Sequence, residues 1–422
     1  MAEVAAGLWA AEEVISTGVQ AGVAGYAVAQ PTMPLKATFS QIASTSKDDS
    51  SASLARYNHT VTIINKKAYI FGGQTSQNKL ATNDIHCVAL PLKDVPPPDY
   101  QVLPAIQAGE DGVAPSARTQ HAACALGNNV AVYGGCDEKG ALVDEGQKIR
   151  LFDTETLTWE VLEPSGHLER IPVSRRKATL LSHDGNLILY GGLDSNDSEL
   201  TDVWLFNFAT KIWNQLPRAP VASKSAAISG HTLYLVSVSD SLGSEVYHLD
   251  LDLYAREPPS WSTISIPTNP LTQSPGPKPR ANGALVAITT GFGRNYLVYF
   301  FGEHVGSAEK HDLRQWNDLW TFQLPSSDVA AHTTTSLKDA IKPAKIKDQI
   351  RSKFGTNTGK ASWAEVEVQT PGDLRAHEGK VHPGPRGSFG YDVTPDMSGI
   401  VLWGGVSADG QTVGDGWMIE LA

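Results

Sequence analysis

Cysteine is scarce, with only Cys87, Cys124 and Cys136 in 422 residues. So few, and an odd number, imply no disulfide framework and favour a reducing compartment. Positive charge is missing from the start of the chain: Glu3, Glu12 and Glu13 are the only charges before Lys36. A secretory signal opens on basic residues, so none is read here. The apolar stretch from Ala5 to Ala29 is interrupted by Gly18, Gln20, Gly22 and Gly25, which makes a poor membrane span. Val4, Leu8, Ala11, Ile15 and Val19 fall at helical spacing, so residues 1–34 are expected to form a cytoplasmic helix and linker. Basic residues are outnumbered throughout, giving a net charge of −11. That disfavours nucleic acid and anionic membrane surfaces as partners. Also missing are the nucleophile elbow, the phosphate loop, the dinucleotide fingerprint and the zinc-protease helix.

What is abundant is self-similarity. Tyr69-Ile70-Phe71-Gly72-Gly73, Ala131-Val132-Tyr133-Gly134-Gly135, Ile188-Leu189-Tyr190-Gly191-Gly192 and Val401-Leu402-Trp403-Gly404-Gly405 are near-copies. A weaker copy, Val298-Tyr299-Phe300-Phe301-Gly302, ends in Glu303 where a second glycine is expected. Each copy is an apolar strand running into glycines that side chains would obstruct. Asn83-Asp84, Thr201-Asp202-Val203-Trp204 and Asn317-Asp318-Leu319-Trp320 follow at similar offsets. Strands holding Trp159, Trp213, Trp261 and Trp363 come next.

This pattern resembles the kelch repeat over residues 35–422. The resemblance implies an all-β, six-bladed propeller of four-stranded antiparallel blades closed into a ring. The inner strands begin near Arg56, Arg118, Arg176, Lys224, Arg280 and Arg386. The fourth blade has lost its glycines, but Leu233 to Ser237 keeps strand alternation. The sixth lacks an outer strand, and residues 35–44 are expected to supply it. Residues 325–358 are an insertion in blade five, Ser/Thr-rich and then basic, with helical spacing after Pro343. Gly291-Phe292-Gly293 reads as a hairpin turn.

An antiparallel meander places the 2–3 and 4–1 connections on one face. Arg56, Arg118, Arg176, Arg280 and Arg386 are therefore expected to ring the channel mouth there and to bind an acidic protein segment or an anionic small molecule. The alternative use of these arginines is to pair with carboxylates such as Asp84, Asp202 or Asp318. His59 and His121 follow three residues after two of the arginines and are candidate ligand-binding residues, or else packing. The loop from Phe301 to Leu313 resembles that of the plant kelch specifier proteins, which redirect glucosinolate breakdown and carry Glu-xxx-Asp-xxx-His. Here those positions read Glu303, Ser307 and His311. That resemblance implies iron(II) binding; two ligands are too few to hold the ion alone, so no cofactor is expected, with iron(II) completed by Glu309 or Asp312 as the alternative. Glu303 and His311 remain a candidate acid–base pair. The function expected first is a binding module, acting as a monomer. Second is a small-molecule enzyme without redox cofactor: a lyase, isomerase or biosynthetic cyclase.

Overall fold

The computed structural model describes residues 33–44, 50–76, 78–91, 99–109, 114–145, 148–165, 171–223, 225–236, 245–252, 258–266, 276–290, 294–304, 315–324, 361–369 and 382–422. They form six antiparallel blades around an axis. Blade one comprises Thr60–Ile64, Lys67–Phe71, Ile85–Ala89 and Tyr100–Leu103, in that order from the axis outward. Blades two to five repeat the order, ending on Thr158–Leu162, Ile212–Leu216, Trp261–Ile264 and Trp363–Glu365. The degenerate fourth blade is complete: Thr232–Val236 pairs with Ala226–Ser229 and Val246–Asp250.

The ring closes as expected. Lys36–Ala43 lies antiparallel to Gly416–Leu421 and becomes the outer strand of blade six. Its Phe39 is buried with Trp417 and Ile419, a contribution of roughly 1.5–3 kcal/mol. A fifth strand, Glu367–Gln369, adds in parallel beyond it, which the repeat pattern does not announce. The expected N-terminal helix (1–34) and the helical insertion (325–358) lie outside the described residues; only 33 and 34 are described, and they are not helical.

Between blades the core is aromatic. The outer-strand Trp159 packs on Phe152 of its own blade and on Phe71 of the blade before it. Trp213 does the same with Phe206 and Tyr133. These two outer-strand tryptophans thereby tie blades one to two and two to three.

The glycine pairs explain why the repeat is spelled as it is. The second glycine of three of the four pairs donates its N–H to a carbonyl that opens the next blade. Gly73 reaches Arg118 O (2.9 Å), Gly135 reaches Arg175 O (3.0 Å), and Gly405 reaches Arg56 O (2.9 Å). Gly135 has φ +98°, and a Cβ there would sit 2.8 Å from Thr119 O. Only glycine combines that backbone with so close an approach.

Blade five corrects the sequence register by one residue. Phe301, at φ 52°, stands where other blades have their first glycine. Gly302 is the second and donates to Arg386 O at 2.9 Å. The missing glycine is thus the first, and Glu303 already belongs to the following ladder with Ala281. Phe301 keeps this left-handed backbone because its ring is packed against Phe389 and His382.

Candidate functional site

The 2–3 and 4–1 connections share one face, as the meander demands, and they pair there in short ladders. Arg56–Tyr57 joins Gln74–Thr75, Arg280–Ala281 joins Glu303–His304, and Arg386–Gly387 joins Val406–Ser407. The arginines open these ladders, but their side chains turn inward. Arg56, Arg118, Arg280 and Arg386 are essentially inaccessible, and each donates to the carbonyl that precedes the second glycine of its own blade.

The residue equivalent to them in blade three is Arg175, not Arg176. Arg175 Nη1 donates to Gly191 O at 2.9 Å, as Arg56 does to Gly72. Arg176 is partly exposed instead and pairs with Asp197 and Gln120. Three consecutive basic residues, Arg175 to Lys177, hide that register from the sequence. Lys224, the position expected in blade four, lies outside the described residues.

Carboxylates engage four of the five described guanidiniums. Asp202, Asp318 and Asp415 receive forked pairs of hydrogen bonds from Arg175, Arg280 and Arg386. Each also accepts the indole N–H of the tryptophan two residues on: Trp204, Trp320 and Trp417. Glu145 serves Arg118 in blade two and Arg150 as well. Burial opposes ionisation of Asp202, but the hydrogen bonds from Arg175 and Trp204 outweigh it and hold the carboxyl below its usual range. In blade one His86 replaces the tryptophan. Arg56 can only donate, so His86 Nε2 accepts at 3.0 Å and Nδ1–H donates to Tyr100 Oη at 2.7 Å. Burial lowers the Arg56 pKa to about 10, which leaves it charged. The expectation that these arginines present free charge at the mouth is therefore corrected. Their forks are filled by the neighbouring backbone and carboxylates, because a buried guanidinium must be paired.

The channel they back onto encloses a cavity of about 480 Å³. Its waist is lined by small residues at or just before the start of the inner strands, including Ala122, Ala178, Ala226, Gly283 and Gly390. The mouth on the ladder face is lined by Asn58, Gln120, Lys177, Asn282 and Ser388, each two residues after an arginine. All five hold positive φ, between 51° and 57°. Their backbones form a belt: Asn58 N–H donates to Ser388 O, Gln120 N–H to Asn58 O, and Lys177 N–H to Gln120 O. Five non-glycine residues in a left-handed backbone at one pore are a repeated strain that the fold maintains there.

His59 and His121 also line the cavity, buried. Burial and the neighbouring Arg118 take His121 down to about 3; burial and Arg56 push His59 well below its usual range. Both rings are neutral and fill the space left by glycines. The His59 ring lies against Gly390 and Gly404, and the His121 ring against Gly72. Thr60 Oγ1 contacts His121 Nε2 at 2.9 Å. Deeper in, Asp392 accepts the N–H of Ile63 (2.7 Å) and of Val393 (2.8 Å); burial pushes its pKa up to about 6. Cys124 faces the same cavity, its thiol pKa raised by burial and then by Asp392.

Glu303 accepts a hydrogen bond from Ser388 Oγ at 3.0 Å, which ties blade five to the mouth belt of blade six. Ser307 and His311 lie outside the described residues.

Residues 38–242 match the family model of the KLHDC2/KLHL20/DRC7 kelch-repeats domain. The chain is a kelch-repeat β-propeller. Kelch domain-containing protein 3 of Homo sapiens is 27% identical to it over 223 residues, covering 48% of this chain and 55% of that protein. Acyl-CoA-binding domain-containing protein 4 of Arabidopsis thaliana is 27% identical over 267 residues, 61% of this chain and 36% of its own length. The propeller thus spans about half, or less, of the length of these relatives. The solved structure of YjhT superposes with a TM-score of 0.50 at 14% identity, over 87% of this chain and 97% of that one, and shares the fold alone. The family match stops short of the blade-five loop, so the likeness to the specifier proteins has no support from it. No helix among the described residues is long and apolar enough to cross a membrane.

Proposed function

We propose that this kelch propeller is a protein-binding scaffold that takes an extended, acidic segment of a partner into the ladder-face mouth. The observation that carries the reading is the ring of Asn58, Gln120, Lys177, Asn282 and Ser388, from five of the six blades, all held at positive φ. An extended segment brings one N–H and one C=O per residue that must be satisfied. Amide and hydroxyl side chains converging on a pore can serve both. Lys177 is the cation among the described residues that line this cavity, and it gives the preference for an acidic residue. The arginines act behind this ring as scaffold. Glu303 accepts from Ser388 Oγ and so helps to hold the belt in place.

Selection of a displayed random-peptide library on the purified chain tests this. Acidic peptides should be enriched, their binding should weaken with salt, and Lys177→Glu should reverse the charge preference. Enrichment of no peptide, or of peptides indifferent to Lys177→Glu and Gln120→Ala, would overturn the proposal.

A further inference from the structure

The opposite rim carries a second cluster, unrelated to the mouth. There the 1–2 hairpins of blades three and four lie side by side. His183 ends the inner strand Thr179–His183, Asp184 follows it in the turn at φ 47°, and His231 occupies the turn before Thr232–Val236. His183 Nε2 lies 3.4 Å and His231 Nδ1 3.3 Å from the same oxygen, Asp184 Oδ2. The three donor atoms all fall within 4.8 Å of one another.

We propose that His183, Asp184 and His231 form a binding site for a divalent first-row transition ion, best suited to zinc. Two imidazole nitrogens and one carboxylate oxygen make a borderline donor set that zinc accepts and magnesium or calcium does not. Metal–ligand bonds of 2.0–2.1 Å in a tetrahedron require donor atoms about 3.3 Å apart. Two of the three edges already have that length. The rings are nearly perpendicular, with centroids 5.2 Å apart, so both can aim a lone pair at one point without stacking. His183 and Asp184 also line the central cavity, so the fourth coordination position is open to water there.

The arrangement is particular to this pair of blades. Blade one has Ile64 and Asn65 at the corresponding hairpin, and blade two has Leu126 and Gly127. Nothing about closing a propeller needs histidine at either place.

The test uses the full chain, free of any histidine tag and stripped with chelator. Titration with cobalt(II) should show one equivalent bound with the d–d absorption of tetrahedral cobalt, and zinc should displace it. Zinc should raise the melting temperature, and magnesium should not. His231→Ala alters an exposed side chain and should leave folding intact. It should cost more than about tenfold in affinity, the smallest loss that even outer-shell partners produce. Asp184→Asn keeps the turn geometry and should do likewise. Absence of a cobalt spectrum, or binding unchanged in both His231→Ala and Asp184→Asn, would overturn the site.

Discussion

Removing Asp202 isolates what the buried arginines are for. Its carboxylate accepts from Arg175 at 2.7 and 2.9 Å and from Trp204 Nε1 at 2.7 Å. Arg175 has no exposed side-chain surface. Asp202→Ala leaves that charge with only the carbonyls of Gly191 and Val173. Breaking a buried pair from one side costs about 3–5 kcal/mol. An unfolding entropy of roughly 2.1 cal/mol/K per residue makes each kcal/mol worth about 1 °C in a chain this long, so calorimetry should show a drop of about 3–5 °C. Replacing both partners by apolar residues (Arg175→Met with Asp202→Leu) should recover most of it, because an uncompensated charge is no longer left behind. Arg176→Ala, which breaks the pair with exposed Asp197, should move stability by no more than about 0.5 kcal/mol. The wild type also loses stability as pH falls through the depressed Asp202 pKa, and the variant should lose less over that range. Equal melting temperatures for Asp202→Ala and Arg176→Ala, or no recovery in the double variant, would refute the reasoning.

Other expectations follow from the same geometry. Gly135→Ala forces a Cβ to 2.8 Å from Thr119 O in a left-handed backbone, so it should destabilise by more than about 1 kcal/mol and raise proteolysis at the seam of blades two and three. The same change at Gly140, where a Cβ meets nothing within 4 Å, should cost less, and equal losses would count against the seam. Asp392 is favoured protonated in the fold, so its contribution is fullest in acid and is lost as pH rises through about 6. Asp392→Asn should therefore flatten the stability profile between about pH 4 and pH 6, from the ordinary carboxyl value of 3.8 to the folded value of about 6, as followed by denaturant midpoint. Phe39→Ala should cost about 3–5 kcal/mol and make the edge of Gly416–Leu421 exchange amide hydrogens faster, if Lys36–Ala43 is what closes the ring.

The repeat, the blade count and the closing strand were legible because strand alternation and paired glycines recur where backbone demands are absolute. The register of Arg175 against Arg176 was not, since both are arginine and only the hydrogen bond to Gly191 O separates them. The role of the arginines was legible only as a choice between ligand and carboxylate. Burial decides it, and burial of a side chain at a loop is set by neighbours far away in sequence. Asn58, Gln120 and Asn282 are carboxamides but Lys177 and Ser388 are not, so what all five share is an offset from the arginines and a backbone angle, which composition does not reveal. His183 and His231 are brought together by blades three and four standing next to each other, which becomes visible once the ring is built.

The central claim is that a partner enters at the ring of positive-φ side chains and not at the arginines or the outer rim. Hydrogen exchange, with and without a peptide selected on the wild-type chain, tests it most directly. The account predicts new protection at the amides around Asn58, Gln120, Lys177, Asn282 and Ser388, with the outer strands unchanged. Protection confined to outer strands such as Tyr100–Leu103, or to the hairpins at Asp184 and His231, would contradict it.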